Sequence, residues 1–162
     1  MSRSCPFCAI ATGAAPAEIV YADDHVVAFL DHRPLFLGHT LVILREHYAT
    51  LPDVPPALIP PLFGVVQRLA QAVPQALNAD GSFIAINNRV SQSVPHLHVH
   101  VVPRRRGDGL RGFFWPRTRY ASPEDMAAIG ARIRAALVTL TTLPEGESST
   151  RAEYRPDCDG ER

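Results

Sequence analysis

The chain has 162 residues, enough for one domain with a substantial core and too few for two. Hydrophobic residues make up 46% and charged residues 20%, the balance of a folded globular protein rather than a disordered one. The formal net charge is zero, which argues against a basic nucleic-acid coat and against a polybasic membrane anchor.

Met1 to Ile10 contains no apolar run of signal-peptide length. No stretch approaches the roughly 18 apolar residues of a membrane span. A cytoplasmic location is therefore expected. Three cysteines cannot make a fully paired disulfide framework, and two of them form the Cys-x-x-Cys pair Cys5-Pro6-Phe7-Cys8. That spacing suits half of a zinc site, with buried free thiols and a redox pair as the alternatives.

Taken in chain order, Glu18–Ala22 and Val26–Asp31 are predicted strands flanking the acidic turn Asp23-Asp24-His25. Thr40–Arg45 follows the turn signal Leu37-Gly38 and forms a third. A helix is predicted within Pro56–Ala79, where Leu62, Val65, Val66, Leu69, Val73 and Leu77 recur at helical spacing. Pro60 and Pro61 mark its expected start, and Pro74 is expected to kink or end it. Ser82–Asn88 and His96–Val102 are the last two strands, the second stopping at Pro103. A second helix is predicted over Pro123–Leu143, with Ser122 as N-cap, Pro123 at the first helical position and Asp125 completing an approximate capping box. After Pro144 the chain turns polar, so 144–162 is expected to be a disordered tail without a catalytic role, and 1–143 the folded domain. Strands on both sides of one helix, with a second helix to follow, indicate an α+β fold: a five-stranded antiparallel sheet carrying two main helices.

The segment with chemistry in it is Gln92-Ser93-Val94-Pro95-His96-Leu97-His98-Val99-His100-Val101-Val102. On a strand, alternate side chains share a face. His96, His98 and His100 would line one face while Leu97, Val99 and Val101 anchor the other. Three imidazoles in a row are costly to bury without partners, so they must be paired, bound to metal or placed near solvent in a cleft. Alternating histidines are also good metal ligands, so spacing alone leaves metal binding and phosphate chemistry both open.

The run of His, apolar, His, apolar, His, apolar, apolar resembles the signature of the histidine triad family at every position. Gln92-Ser93-Val94-Pro95 before it is similar as well. The resemblance reaches from the Cys-x-x-Cys pair to about Arg106, and more loosely through the last helix. It implies a nucleotide hydrolase or transferase acting on nucleoside phosphoramidates or dinucleoside polyphosphates, with a purine substrate such as an adenosine nucleotide. His98 would be the nucleophile, forming a nucleotidyl-histidine that water then releases as a mononucleotide. The resemblance also implies His100 as a donor towards the leaving group, and His39 as a fourth histidine supporting the site. Asp31 would grip the ribose hydroxyls. Asn87 (preferred over Asn88) would face the phosphates, Ser93 would offer a hydroxyl and backbone N–H groups to them, and Gln92 would contact the leaving side. Arg89-Val90-Ser91 departs from the family's longer glycine-rich loop. Ile19, Val20, Phe29 and Leu30 are candidates for an apolar base pocket.

A structural zinc held by Cys5, Cys8, His47 and His96 is implied in the same way, as is a homodimer. The basic and aromatic stretch Arg104–Arg117 could lie over the substrate or at a subunit contact. His25 and His32 are given no role, and Cys158 is left out of the metal set. Two other classes stay open at this level: a metal-dependent hydrolase built on the three histidines, and a non-enzymatic nucleotide-binding protein.

Overall fold

The computed structural model of the protein describes residues 5–110 and 120–142. The expected tail at 144–162, Cys158 and the aromatic part of the Arg104–Arg117 stretch lie outside them.

Five strands form one antiparallel sheet in the order β1-β2-β3-β5-β4. They are β1 (Ile19–Ala22), β2 (Val26–Leu30), β3 (Thr40–Leu44), β4 (Gly81–Ile86) and β5 (His98–Arg104). β1 and β2 make a hairpin around Asp23, whose carboxylate accepts the backbone N–H of His25 and of Val26 at 2.8 and 2.7 Å. β3 and β4 both run antiparallel to β5, so they are parallel to each other and need a long crossover between them. The helix α2 (Ile59–Leu77) supplies it, packing over β5, β4 and β3.

Two single-turn 3-10 helices, Leu51–Asp53 and Pro56–Leu58, lead into α2, which starts at Ile59 with Pro60 and Pro61 in its first turn. Prolines are tolerated there because those N–H groups have no intrahelical partner. Pro74 does not end the helix. It continues to Leu77, where Asn78 in the left-handed region (φ 51°) closes it. A short helix α1 (Pro6–Ala11), not anticipated from the sequence, begins with Pro6 at its first position.

The sheet has two unlike faces, and both are read from the period of two. Val26, Ala28, Val42, Leu44, Val99 and Val101, together with Leu97, pack under Leu62, Val65 and Val66 of α2. On the opposite face Val27, Phe29, Leu41 and Ile43 pack against Phe7 and Ala11 of α1. His100 stands opposite Leu41, and His98 opposite Ile43, so the histidines of β5 belong to the α1 face.

The strand ends differ from the sequence reading in two instructive places. β5 was expected to begin at His96 but begins at His98. The His96 N–H turns back to the Val94 carbonyl at 2.8 Å, and the Leu97 N–H bonds to the Tyr48 carbonyl at 2.6 Å, so neither residue joins the ladder. At its other end β5 outlasts β3 and continues to Arg104 beside β4, carrying Pro103 where it has only one neighbour. β4 stops at Ile86, not Asn88, because the Asn88 side chain accepts the Leu51 N–H at 2.8 Å and Arg89 turns the chain at φ 68°.

The last helix, α3 (Pro123–Thr142), belongs to a second compact unit that starts after Leu110. The Ser122 hydroxyl accepts the Asp125 N–H at 3.2 Å, and the Asp125 carboxylate reaches the N–H of Ala121 at 3.3 Å, close to the predicted capping box. No described helix is long and apolar enough to cross a membrane.

Candidate functional site

β5 and its approach place three histidines in a file, and each ring is fixed by a different partner. His98 is almost wholly buried (3% exposed). Its Nδ1 lies 2.7 Å from the His96 carbonyl. A carbonyl can only accept, so Nδ1 carries the ring proton and Nε2 keeps the lone pair. Phe7 of α1 packs edge-on against the His98 ring at 5.2 Å between centroids, and against Phe29 at 5.4 Å. The His98 and His100 rings are neighbours, with centroids 4.9 Å apart.

His96 is fully buried, and its Nε2 donates to the Leu44 carbonyl at 3.0 Å. Its Nδ1 is thereby left as a lone pair, and it faces Cys5 Sγ and Cys8 Sγ at 3.5 Å each. Burial, with His47 and His98 adding to it, pushes the His96 pKa down to about 4 against the pull of the Leu44 carbonyl. The ring is neutral at neutral pH, as a metal ligand must be. His47 Nδ1 lies 3.3 Å from Cys8 Sγ. The ligand atoms of Cys5, Cys8, His47 and His96 all lie within 4.8 Å of one another, so these four could hold a metal ion. Burial and the neighbouring Cys5 thiol hold the Cys8 thiol above its ordinary pKa.

His100 is half-buried, and its Nδ1 meets His39 Nε2 at 2.9 Å. Burial first, then His98 and His39, lowers the His100 pKa to about 4, with Asp31 opposing. His39 is 2% exposed, and burial lowers its pKa too. It follows Gly38, whose φ of 94° disfavours any residue with a side chain and where a Cβ would displace the tip of the Leu77 side chain. The residues 31–39 close on themselves, the Asp31 N–H bonding to the His39 carbonyl at 2.9 Å. The Asp31 carboxylate accepts the Arg33 N–H at 2.8 Å and comes within 3.5 Å of His39 Nδ1.

The other sequence candidates are spread around this file. Asn88 is tied to Leu51, whereas Asn87 spans its own loop, donating to the Ser91 carbonyl at 3.1 Å. Gln92 is buried and braces the loop: its amide donates to the Ala49 carbonyl at 2.6 Å and accepts the Arg89 N–H at 2.9 Å. Ser93 is exposed. Of the base-pocket candidates, Phe29 is core. Ile19 stands opposite it on the α1 face and is exposed, Leu30 pairs with Thr40, and Val20 is exposed. Arg104 is spent on Asp108 and the Leu110 carbonyl, and Arg105 on the Leu77 carbonyl that ends α2. His25 donates its backbone N–H to a turn, and His32 is exposed. A cavity of about 240 Å³ lined by Phe36, Leu37, Leu77, Pro103 and Arg105 shares no residue with the histidine file.

Sequence reasoning missed two contributors. One is Phe7, whose i, i+4 spacing to Ala11 behind a proline was the available signal for a short helix. The other is the Leu35 backbone N–H, which reaches His39 Nδ1 at 3.2 Å and has no sequence signature at all.

Comparison with known proteins places this arrangement. The HIT domain family model matches residues 12–107. A crystal structure of a HIT family member from Bacillus subtilis superposes with a TM-score of 0.76 at 32% identity, covering 91% of this chain and all of that one. A zinc-bound histidine triad family protein from Mycobacterium smegmatis is 44% identical, with a TM-score of 0.64, over 85% of this chain and 96% of that one. The adenylylsulfatase HINT3 of Arabidopsis thaliana is 33% identical over 68% of this chain and 57% of its own length. The asymmetrical bis(5'-nucleosyl)-tetraphosphatase of Schizosaccharomyces pombe is 33% identical over 57% of this chain and 52% of its own.

Proposed function

Because the chain belongs to the HIT domain family, matched over 12–107, we propose that it is a nucleotide hydrolase or transferase working through a covalent nucleotidyl-histidine on His98. The observation that carries this reading is the 2.7 Å bond from His98 Nδ1 to the His96 carbonyl. It leaves the Nε2 lone pair available without any prior loss of a proton, which is what an imidazole nucleophile needs near neutral pH.

In the first step Nε2 attacks the α-phosphorus of a nucleoside phosphoramidate or dinucleoside polyphosphate. The N–P bond forms as the bond to the leaving group breaks, and the leaving nitrogen or oxygen takes a proton from solvent. In the second step water attacks the same phosphorus, the N–P bond breaks, and a nucleoside monophosphate departs while the water's proton returns to solvent. Dividing one displacement into two lowers each barrier. His100 donates towards the leaving group, and Ser93 and Asn87 border the phosphate side. Asp31, an acceptor-only carboxylate at the end of β2, suits the ribose diol. Exposed Ile19, paired with Phe29 on the neighbouring strand, suits a purine such as adenine. The relatives named as an adenylylsulfatase and as a dinucleoside tetraphosphatase support this substrate class.

The Cys5, Cys8, His47 and His96 set fits zinc. Two thiols and two imidazole Nδ1 atoms are the donor types zinc prefers, and the 3.3 to 3.5 Å separations match the edges of a tetrahedron with zinc–ligand bonds of roughly 2.0–2.3 Å. When bound, the metal would supply structure rather than a Lewis acid, because four protein ligands leave no open position. Cys5 and Cys8 would fasten α1 across the sheet, and α1 holds Phe7 against His98. The zinc-bound Mycobacterium smegmatis relative supports this assignment. The resemblance to the family extends to a homodimer as the expected assembly.

The deciding experiment incubates the purified protein with an adenosine phosphoramidate and with diadenosine polyphosphates, with and without chelator. Nucleotide release that survives the chelator, with an acid-labile adduct on His98, is expected. Release abolished by chelator and restored by metal would transfer the role to a catalytic metal. Binding without release or adduct would mark a nucleotide-binding protein.

A further inference from the structure

We propose that the backbone N–H of Leu35 sets the proton order of the His39–His100 pair, so that His100 presents an N–H, and not a lone pair, to the leaving group. This deepens the reading of His98 as nucleophile and rests on it.

A hydrogen bond between two neutral imidazoles has no intrinsic direction. Either ring can donate to the other, and the 2.9 Å contact between His39 Nε2 and His100 Nδ1 is equally good both ways. The two directions have opposite chemical meanings. If His39 donates, His100 Nδ1 is the acceptor, and the His100 proton sits on Nε2. If His100 donates, its Nε2 is bare and would repel the electrons gathering on a departing group.

The tie is broken at the far nitrogen of His39. The Leu35 N–H points at His39 Nδ1 from 3.2 Å, and a peptide N–H can only donate. His39 Nδ1 must therefore hold a lone pair, the His39 proton is on Nε2, and it goes to His100 Nδ1. Among the described residues Asp31 opposes this, its Oδ2 lying 3.5 Å from the same Nδ1, where it would favour a proton. The amide prevails because it is nearer, makes a hydrogen bond and can only donate, whereas Asp31 Oδ2 makes no hydrogen bond to the ring. Burial of both rings favours the neutral forms this order requires.

The consequence is an opposed pair on one strand. His98 is turned by a backbone carbonyl into a bare Nε2, and His100, two residues on, is turned by a backbone amide into an Nε2–H. The same proton count limits what His100 does. The neutral pair holds one proton per ring, and the Leu35 amide has none to relinquish. Releasing the His100 proton would leave an imidazolate at one end of the pair or the other. His100 thus stabilises the leaving group by a hydrogen bond, and the proton that ends on it comes from solvent. Leu35 acts through His39 and His100, and is a positioning residue.

The test has two parts. Proton–nitrogen correlation spectra of the metal-loaded protein, with 15N-labelled histidine at neutral pH, read each ring's tautomer directly. His39 and His100 are expected with protons on Nε2, and His98 with its proton on Nδ1. A proton on His100 Nδ1 overturns the proposal whatever the activity. The second part uses Leu35→Pro, which removes the N–H at a position whose side chain is exposed. The readout is the ratio of kcat/KM for adenosine 5'-p-nitrophenyl phosphate, whose leaving group needs little help, to that for an alkylamine adenosine phosphoramidate, whose leaving group needs much. Loss of an oriented donor should raise this ratio by about tenfold or more, while Leu35→Ala, which keeps the N–H, holds it at the wild-type value. An unchanged ratio in folded Leu35→Pro refutes the proposal. If Leu35→Pro does not fold, the spectra of the wild-type protein decide. Failure of the His98 adduct to form from the nitrophenyl ester counts against the nucleophile reading, and the tautomers are read independently of it.

Discussion

The two faces of the sheet are made by the same strands and obey different rules. Facing α2, Leu97, Val99 and Val101 disappear among Leu62, Val65 and Val66, and nothing there needs a partner. Facing α1, His98 and His100 alternate with them one residue at a time, and every ring nitrogen that is buried has been given a definite role. The first face contributes apolar burial, on the order of 1.5–3 kcal/mol per large side chain. The second gives some of it back, since burial drives the His100 pKa down to about 4. A strand held rigidly from behind can carry polar groups in front with the orientation chemistry requires.

The sharpest way to break this contrast is to empty one face at a time. His98→Ala should abolish the adduct and lower kcat by about a thousandfold or more. The folded structure, read by circular dichroism, should persist. Unfolding on this substitution would show that the histidine face is also what holds the sheet together. Next in size, Leu62→Ala on the opposite face should cost about 2–5 kcal/mol in denaturant unfolding. Adduct formation by the molecules that stay folded should be little changed.

Removing the cluster that fastens α1 probes the seam between the faces. Cys8→Ser should reduce bound zinc from about one per chain to near zero and lower the melting temperature by several degrees. Metal analysis and calorimetry check both, and full zinc retention would dissolve the assigned ligand set.

The smallest effect expected is a pH slope. The folded His100 pKa, about 4, lies below the ordinary value of roughly 6.5. The unfolded chain therefore binds the extra proton first. The contribution of His100 is intact above about pH 6.5 and is lost as pH falls through its folded pKa. His39, lowered in the same direction, adds to it. Urea unfolding of His100→Gln should fall less steeply with acid over that interval than unfolding of the wild type. Parallel curves would mean that the histidine face carries no such cost.

Much of this was legible in the sequence, for reasons that differ by element. The five strands follow from β-branched runs between turn residues, and the opposed faces follow from the alternation in β5. Asp31, His39, His98 and His100 were reached through the family pattern, and the structure brings them into one neighbourhood. Cys5, Cys8, His47 and His96 are far apart in the chain and meet in space. What escaped is what backbone groups decide. His96 leaves the ladder because its own N–H and ring find other partners, a competition no propensity describes. Gln92 reads as a leaving-side contact by its place in the motif, and nothing in the sequence signals that its amide also spans from Ala49 to Arg89. Pro74 reads as a kink or a stop, and the helix runs on past it to Leu77. The direction of the His39–His100 bond depends on an amide hydrogen at Leu35, which every residue but proline would supply.

His96 belongs to two arrangements and lends each a different part of itself. Its ring faces the cysteines, and its carbonyl turns His98. A carbonyl survives any side-chain replacement. A lineage could exchange the cysteines and the imidazole at 96 for ordinary packing residues and inherit the nucleophile with its proton still in place. By the same logic, a survey of alanine substitutions along the chain would pass over the two backbone groups, the His96 carbonyl and the Leu35 amide.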